Sequence, residues 1–315
     1  HRTVVYIGSI KKKVSHMTNE QKNKQTLPDL KGKPYGGAWS IHNTETVNFV
    51  GLHADAFAQP NIQGFLKDYS SWMQQGHELK GIDAYKHLAF ANGTTEVFDK
   101  FYMKHLDRRL RLWKGEYFYH QIVARENFYS NFSWIADDDI HVGDVVVVSL
   151  PFSDTGMTVQ GFEEVMQKCC AKNVPVLIDM AYINISKHTK FNLDFECIET
   201  IATSLSKVFP VETLRIGMRM NRHNDDDSLN AYTNNSTPYV NTNSIHIGHE
   251  LIKKYNNNWL YQTYSKKQQE LCKELDVTPS DCVIFGIDRN SKYSDYNRGG
   301  KSNRLCFSKL WDKRV

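Results

Sequence analysis

The run DVVVVSL at residues 144–150 constrains the fold more than any other stretch of this 315-residue chain. Four consecutive valines leave no polar face, and a strand without a polar face has to be covered on both sides. Such strands belong to largely parallel sheets with helices above and below. The neighbouring sequence agrees. Residues 159–171 carry Phe162, Val165, Met166 and Cys169 at helical spacing, and residues 175–179 (PVLID) form the next apolar run. Further strand candidates follow at 198–204 and 213–220, so strands alternate with amphipathic stretches from about residue 86 to 220. The expected class is α/β, a three-layer α/β/α arrangement around a mostly parallel sheet.

Beyond that region the pattern changes. The polar tract 221–244 reads as a long surface loop, and 244–275 reads as one long helix without Pro or Gly after Gly248. Strand candidates at 282–287 and 304–310 would then build a small α+β carboxy-terminal lobe. The expected organisation is an amino-terminal segment, 1–60, that contributes to the small lobe and the substrate site. A large domain, 61–245, and a linking helix with a short final domain, 246–315, complete it.

Composition removes several classes. With 40% hydrophobic and 23% charged residues the chain is neither disordered nor a coiled coil, and its longest apolar run falls well short of the roughly 20 residues a membrane helix needs. Six cysteines without a C-x-x-C pair fit a reducing cytosol, and the opening HRTVVYIGSIKKK lacks the order of a signal peptide, so a cytoplasmic location is expected. No metal site is expected. A net charge of +4 is too small to imply nucleic acid. Lys11 to Lys13, with Lys104, Arg108, Arg109, Arg111 and Lys114, motivate a non-catalytic or nucleic-acid-binding alternative. Leu106, Leu110 and Leu112 interleave the second cluster, which reads more simply as a solvated helix face and turn.

Several polar residues stand where the apolar runs end, the edge at which open α/β sheets collect ligands. Gly93, Thr94 and Thr95 precede a helical stretch and offer free N–H groups and hydroxyls to a phosphate, or alternatively an ordinary Thr cap. Asp179 ends PVLID and requires a cation or donors, as a cap or an ion pair also would supply. Lys207, after SLS, is a candidate amine nucleophile if desolvated, and Arg215 eight residues later requires an anionic partner if buried.

In order, Gly93-Thr94-Thr95-Glu96, Leu150-Pro151-Phe152-Ser153-Asp154-Thr155-Gly156, Asp179-Met180-Ala181-Tyr182 and Ser204-Leu205-Ser206-Lys207 with Arg215-Ile216-Gly217 resemble the signature of the class I/II aminotransferases. These are fold-type-I, pyridoxal-phosphate-dependent enzymes. The resemblance covers about residues 90–220, with weaker echoes at 47–60 and 303–308. It implies that Lys207 holds pyridoxal 5'-phosphate as a Schiff base and moves the substrate proton. Asp179 would pair with the pyridinium nitrogen and Tyr182 would bond the ring 3-oxygen. Gly93, Thr94, Thr95, Ser204 and Arg215 would form the phosphate cup. Tyr117 would stack on the ring, with Phe118 or Tyr119 as alternatives, and Arg304 would clamp the substrate carboxylate. The implied activity is transamination of an amino acid or amine, with decarboxylase or lyase chemistry as the alternative on the same scaffold.

The chain also departs from that pattern. Ser153-Asp154-Thr155-Gly156 replaces Asn-Pro-x-Gly, so either Ser153 makes a shorter hydrogen bond to the cofactor or Asp154 intrudes. Family members are commonly homodimers in which a partner tyrosine reaches the phosphate, and Tyr69 lies in the corresponding region. His53 or Asp55, within 47–60, would contact substrate.

Overall fold

The structure, a computed structural model, describes residues 35–128, 130–236 and 238–312. In chain order its strands are β1 (Glu78–Lys80), β2 (His87–Asn92), β3 (Arg109–Leu112), β4 (Phe132–Trp134), β5 (Asp144–Ser149), β6 (Val176–Asp179), β7 (Lys190–Asn192), β8 (Ile198–Ser204), β9 (Ile216–Asn221), β10 (Thr278–Pro279), β11 (Phe285–Asp288) and β12 (Asn303–Cys306). Its helices are α1 (Thr44–Leu52), α2 (Ile62–Met73), α3 (Thr94–Lys104), α4 (Phe118–Asn127), α5 (Phe162–Ala171), α6 (Ser228–Asn234), α7 (Thr242–Lys254) and α8 (Trp259–Leu275).

The valines of β5 are all fully buried, and they alternate between two cores. Val146 and Val148 face one cluster with Phe65, Phe162 and Leu251, from α2, α5 and α7. Val145 and Val147 face another with Val97, Phe98, Val123 and Leu229, from α3, α4 and α6. Helices therefore cover both faces of the sheet, as the unbroken apolar run requires. The three-layer α/β/α fold is what the sequence predicts.

The main sheet has seven strands in the order β2-β9-β8-β6-β5-β3-β4. β9 runs against its neighbours β2 and β8, whereas the pairs along β8, β6, β5, β3 and β4 are parallel. The carboxyl ends of β2, β3, β5, β6 and β8 consequently lie along one edge, together with the amino end of β9. Register aligns that edge: Ser149 pairs with Asp179, Asp179 with Ala202, Ser204 with Gly217, and Gly217 with Ala91. Strands β10, β11 and β12 form a separate antiparallel sheet under α8, with Cys272, Leu305 and Phe307 buried together.

Four sequence expectations change. The stretch 244–275 is two helices, α7 and α8, because Asn257 is buried between them and donates to Asn184 Oδ1 at 3.2 Å. The tract 221–244 contains α6, capped by the Asp227 carboxylate and anchored by buried Leu229. The strands expected at 282–287 and 304–310 are shorter, and each is displaced by a few residues or fewer. Finally, the basic cluster is not a solvated helix face. Arg109 and Arg111 lie on β3, Arg111 is fully buried, and both bond Asp144, while Lys104 and Lys114 pair with nearby carboxylates. Lys11 to Lys13 lie outside the described residues.

Candidate active site

One cleft opens at the aligned strand ends, lined by Thr94, Thr95, Tyr117, Ser153, Asp179, Tyr182, Ser204, Lys207 and Arg215 among others. Each arrives by its own element. Thr94 and Thr95 open α3 directly after β2. The cap residue is Gly93, at φ 77°, which contributes no side-chain hydrogen bond to the helix end. The Thr-cap alternative is thereby excluded, and an uncapped helix amino terminus faces the cleft, an arrangement suited to an anion. Glu96 folds back to accept the Asn92 N–H at 2.6 Å.

Arg215 stands just before β9, and only because β9 runs antiparallel does it reach this edge. It takes a left-handed φ of 56° and donates to Thr95 Oγ1 at 2.9 Å and to the Glu212 carbonyl at 3.1 Å. A side chain at Gly93 would strike the Arg215 guanidinium, and one at Gly217 would meet the Gly93 backbone at 2.7 Å. Both glycines are fixed by this close approach.

Asp179 ends β6 and is 2% exposed. Its Oδ1 accepts from the Ala181 N–H at 2.9 Å, and its Oδ2 lies 3.3 Å from His120 Nε2. His120 in turn meets the Tyr102 hydroxyl through Nδ1 at 2.8 Å. Glu116 is buried beside them, and burial raises its pKa. Its carboxylate accepts from the Tyr117 and Ser149 N–H groups and from the Ser149 hydroxyl. Neither Glu116 nor His120 is among the sequence-predicted residues. The available signal is their spacing around Tyr117, since Glu116 and His120 stand four residues apart across the start of α4.

Lys207 follows β8 and donates to the Ala38 carbonyl at 2.8 Å. Burial holds its amine below the usual lysine range. Ser206, also missed from the sequence, lines the cleft with its hydroxyl unpartnered among the described residues. Ser153 does likewise, whereas Asp154 turns away and accepts from the Ser302 N–H at 3.3 Å. Ser153, not Asp154, therefore faces the cleft.

Tyr117 lines the cleft, while Phe118 is exposed and Tyr119 bonds Asp99, which excludes the two alternatives. Arg304, on β12, is fully buried and is not among the residues that line the cleft; it stands behind two that are, donating to Tyr182 Oη at 2.9 Å and to the Ser153 carbonyl at 2.6 Å. Its Nε and second Nη carry no hydrogen-bond partner among the described residues. His53 stacks on Phe49 and Asp55 is exposed near Asn243, so neither lines the cleft. The segment against Lys207 is instead the one carrying Ala38. Tyr69 is buried within its own chain, bonded to Thr203 and Asn184, and is not available to a partner subunit.

No family model and no curated protein matches the sequence. Solved structures do match the fold. A C-S lyase from Staphylococcus hominis, bound to pyridoxal phosphate, aligns with TM-score 0.64 at 10% identity over 87% of this chain and 83% of the lyase. The histidinol-phosphate aminotransferase of Clostridium acetobutylicum gives 0.58 at 12% over 88% and 95%. The L-threonine-O-3-phosphate decarboxylase of Porphyromonas gingivalis gives 0.59 at 12% over 86% and 93%. The shared property is the fold, that of fold-type-I pyridoxal-phosphate enzymes.

Proposed function

We propose that this chain is a pyridoxal-phosphate-dependent enzyme that acts on an amino acid, and that its reaction is transamination. The observation that carries this reading is the meeting, in one cleft, of a desolvated amine, a buried carboxylate and an anion-binding helix end with an arginine. The residues present fit the cofactor. Two cleft hydroxyls, on Ser153 and Ser206, have no partner among the described residues, and the start of α3 has no side-chain cap. Thr94, Thr95, Ser204 and Arg215 would hold the phosphate, Tyr117 would cover the ring, and Lys207 Nζ would hold the cofactor covalently.

Pyridoxal phosphate, when bound, supplies an electron sink for the charge that develops at the substrate Cα. The chain's own groups do the rest. Asp179 holds a proton at the pyridine nitrogen, and the Ala181 N–H and His120 fix the carboxylate for that task. Lys207, whose amine burial holds below the usual lysine range, takes the Cα proton and returns it one atom away. Tyr182 presents its hydroxyl to the ring oxygen, with Arg304 donating to that same hydroxyl. The two unpartnered nitrogens of Arg304 match the two oxygens of a carboxylate. The Glu116–Ser149 contact stiffens the turn that carries Ser153, whose N–H bonds Ser149 Oγ at 2.8 Å.

The test is the visible spectrum of the purified protein with added pyridoxal phosphate, followed by borohydride reduction and peptide mapping. An absorbing species and a reduced adduct on Lys207 are expected, and a colourless protein without adduct overturns the reading. Transfer of the amino group to a 2-oxo acid, against release of carbon dioxide or a side-chain fragment, separates transamination from decarboxylase and lyase chemistry. Homodimeric assembly belongs to the same proposal and is read from the molar mass in solution.

A further inference from the structure

Five of the six cysteines are buried, and the half-buried sixth, Cys170, stands against one of them. Cys170 lies in the last turn of α5, and its thiol donates to Sγ of Cys197, the residue just before β8, at 2.8 Å. A disulfide bond is about 2.05 Å long, so less than about 1 Å of movement separates contact from bond. The backbone holds both residues in place. The Cys197 N–H also donates to Cys170 Sγ at 3.4 Å, and the Cys197 carbonyl accepts from the Val176 N–H at 2.9 Å, at the start of β6. At the end of α5 the Cys169 carbonyl accepts from the Val174 N–H at 2.9 Å. Because β6 fixes both ends, the two sulfurs meet without a loop having to close first.

The two thiols differ in access. Cys170 is within reach of solvent, whereas Cys197 is 8% exposed and donates to the Met166 carbonyl at 3.3 Å. Burial, and the sulfur of Cys170 beside it, push the Cys197 thiol up. Cys169, the other sulfur close by, is fully buried in the larger core and burial pushes it up to about 12. Reactivity follows the accessible thiolate, so Cys170 is the sulfur that meets a reagent and Cys197 the one placed to answer it.

We propose that Cys170 and Cys197 are a redox modification site that closes to a disulfide by exchange with a small disulfide of the glutathione class. The Cys170 thiolate attacks one sulfur of glutathione disulfide, whose S–S bond breaks and releases one glutathione thiolate. Cys197 gives its proton to that thiolate, attacks Cys170 Sγ and displaces the second glutathione. Two protein thiols are oxidised to one disulfide, and one glutathione disulfide is reduced to two thiols. The bond closes the segment 170–197, which contains β6 with Asp179 and Tyr182, at the edge of the sheet opposite the cleft. The site therefore stands independently of the enzyme reading.

The experiment incubates the folded, reduced protein with glutathione disulfide, blocks free thiols with iodoacetamide and maps the peptides by mass spectrometry. A chain lighter by two hydrogen atoms is expected, with the Cys170 and Cys197 peptides joined and released by dithiothreitol. The joined form should melt about 3–8 °C higher, since the closed segment limits the unfolded chain. Cys197→Ser should stop at a mixed disulfide of glutathione on Cys170, and folded Cys170→Ser should remain unmodified. A wild-type chain that keeps both thiols, stops at the mixed disulfide, or joins through Cys169 overturns the proposal, and that measurement needs neither variant to fold.

Discussion

Arg215 shows how much of the site depends on single side chains. Its left-handed backbone is an unusual state for a non-glycine residue, and the hydrogen bonds to Thr95 and Glu212 hold the side chain across it. A lysine there keeps the charge but not the fork, so Arg215→Lys should weaken pyridoxal phosphate by about 1.5–3 kcal/mol, tenfold to a hundredfold, in a spectroscopic titration. Lys207 carries a different signature. Burial lowers its folded pKa, so the unfolded chain binds the proton more readily, and stability rises with pH on its account between that lowered value and the ordinary lysine pKa, about 10.4. Removing the amine removes that cost. The cofactor-free Lys207→Met protein should therefore melt no lower than wild type at pH 7, and a clearly lower Tm would show that the amine is held by more than the Ala38 carbonyl. Gly93, Thr94, Thr95, Asp179, Lys207 and Arg215 are legible in the sequence because each sits next to an apolar run whose end is itself legible. Glu116, Ser206 and His120 are not, since their roles come from contacts with other segments.

At the scale of elements, the antiparallel β9 is the decisive strand. It brings Arg215 to the edge where the parallel strands end, and it does so by packing Gly217 directly on Gly93. Gly217→Ala should cost about 1–3 kcal/mol by overpacking backbone against backbone, and should loosen cofactor binding with it, measured by denaturation and by titration. The direction of β9 could not be read from its composition, because its apolar residues alternate alike in either orientation. The break between α7 and α8 has a similar origin. Three successive asparagines are a weak local signal, and the helix stops because Asn257 is drawn into a buried bond with Asn184. On the other flank, Asp144 on β5 serves Arg109, Arg111 and the His141 N–H together. Asp144→Ala leaves the fully buried Arg111 without its carboxylate and should cost about 3–5 kcal/mol.

Across the whole molecule the same carboxylate predicts a pH response. Asp144 is held below the usual carboxylate range by Arg109, the His141 N–H and Arg111 acting against burial. A depressed acid stabilises the fold above its unfolded pKa, about 3.9, and that contribution is lost as pH falls through the lower folded value. Wild type should lose stability steeply below about pH 4, and Asp144→Ala should show a shallower acid limb in thermal melts. The chain by itself determined the layered α/β class and the set of strand-end motifs, because a strand buried on both faces must be apolar throughout and its end must turn polar where it meets solvent. Tertiary structure decided which of those ends share a cleft, how β9 is oriented, that Asp154 turns away while Ser153 faces in, and that Arg304 comes to lie against Tyr182 and Ser153. These are distances between segments remote in sequence, set by register and packing, and no local pattern encodes them.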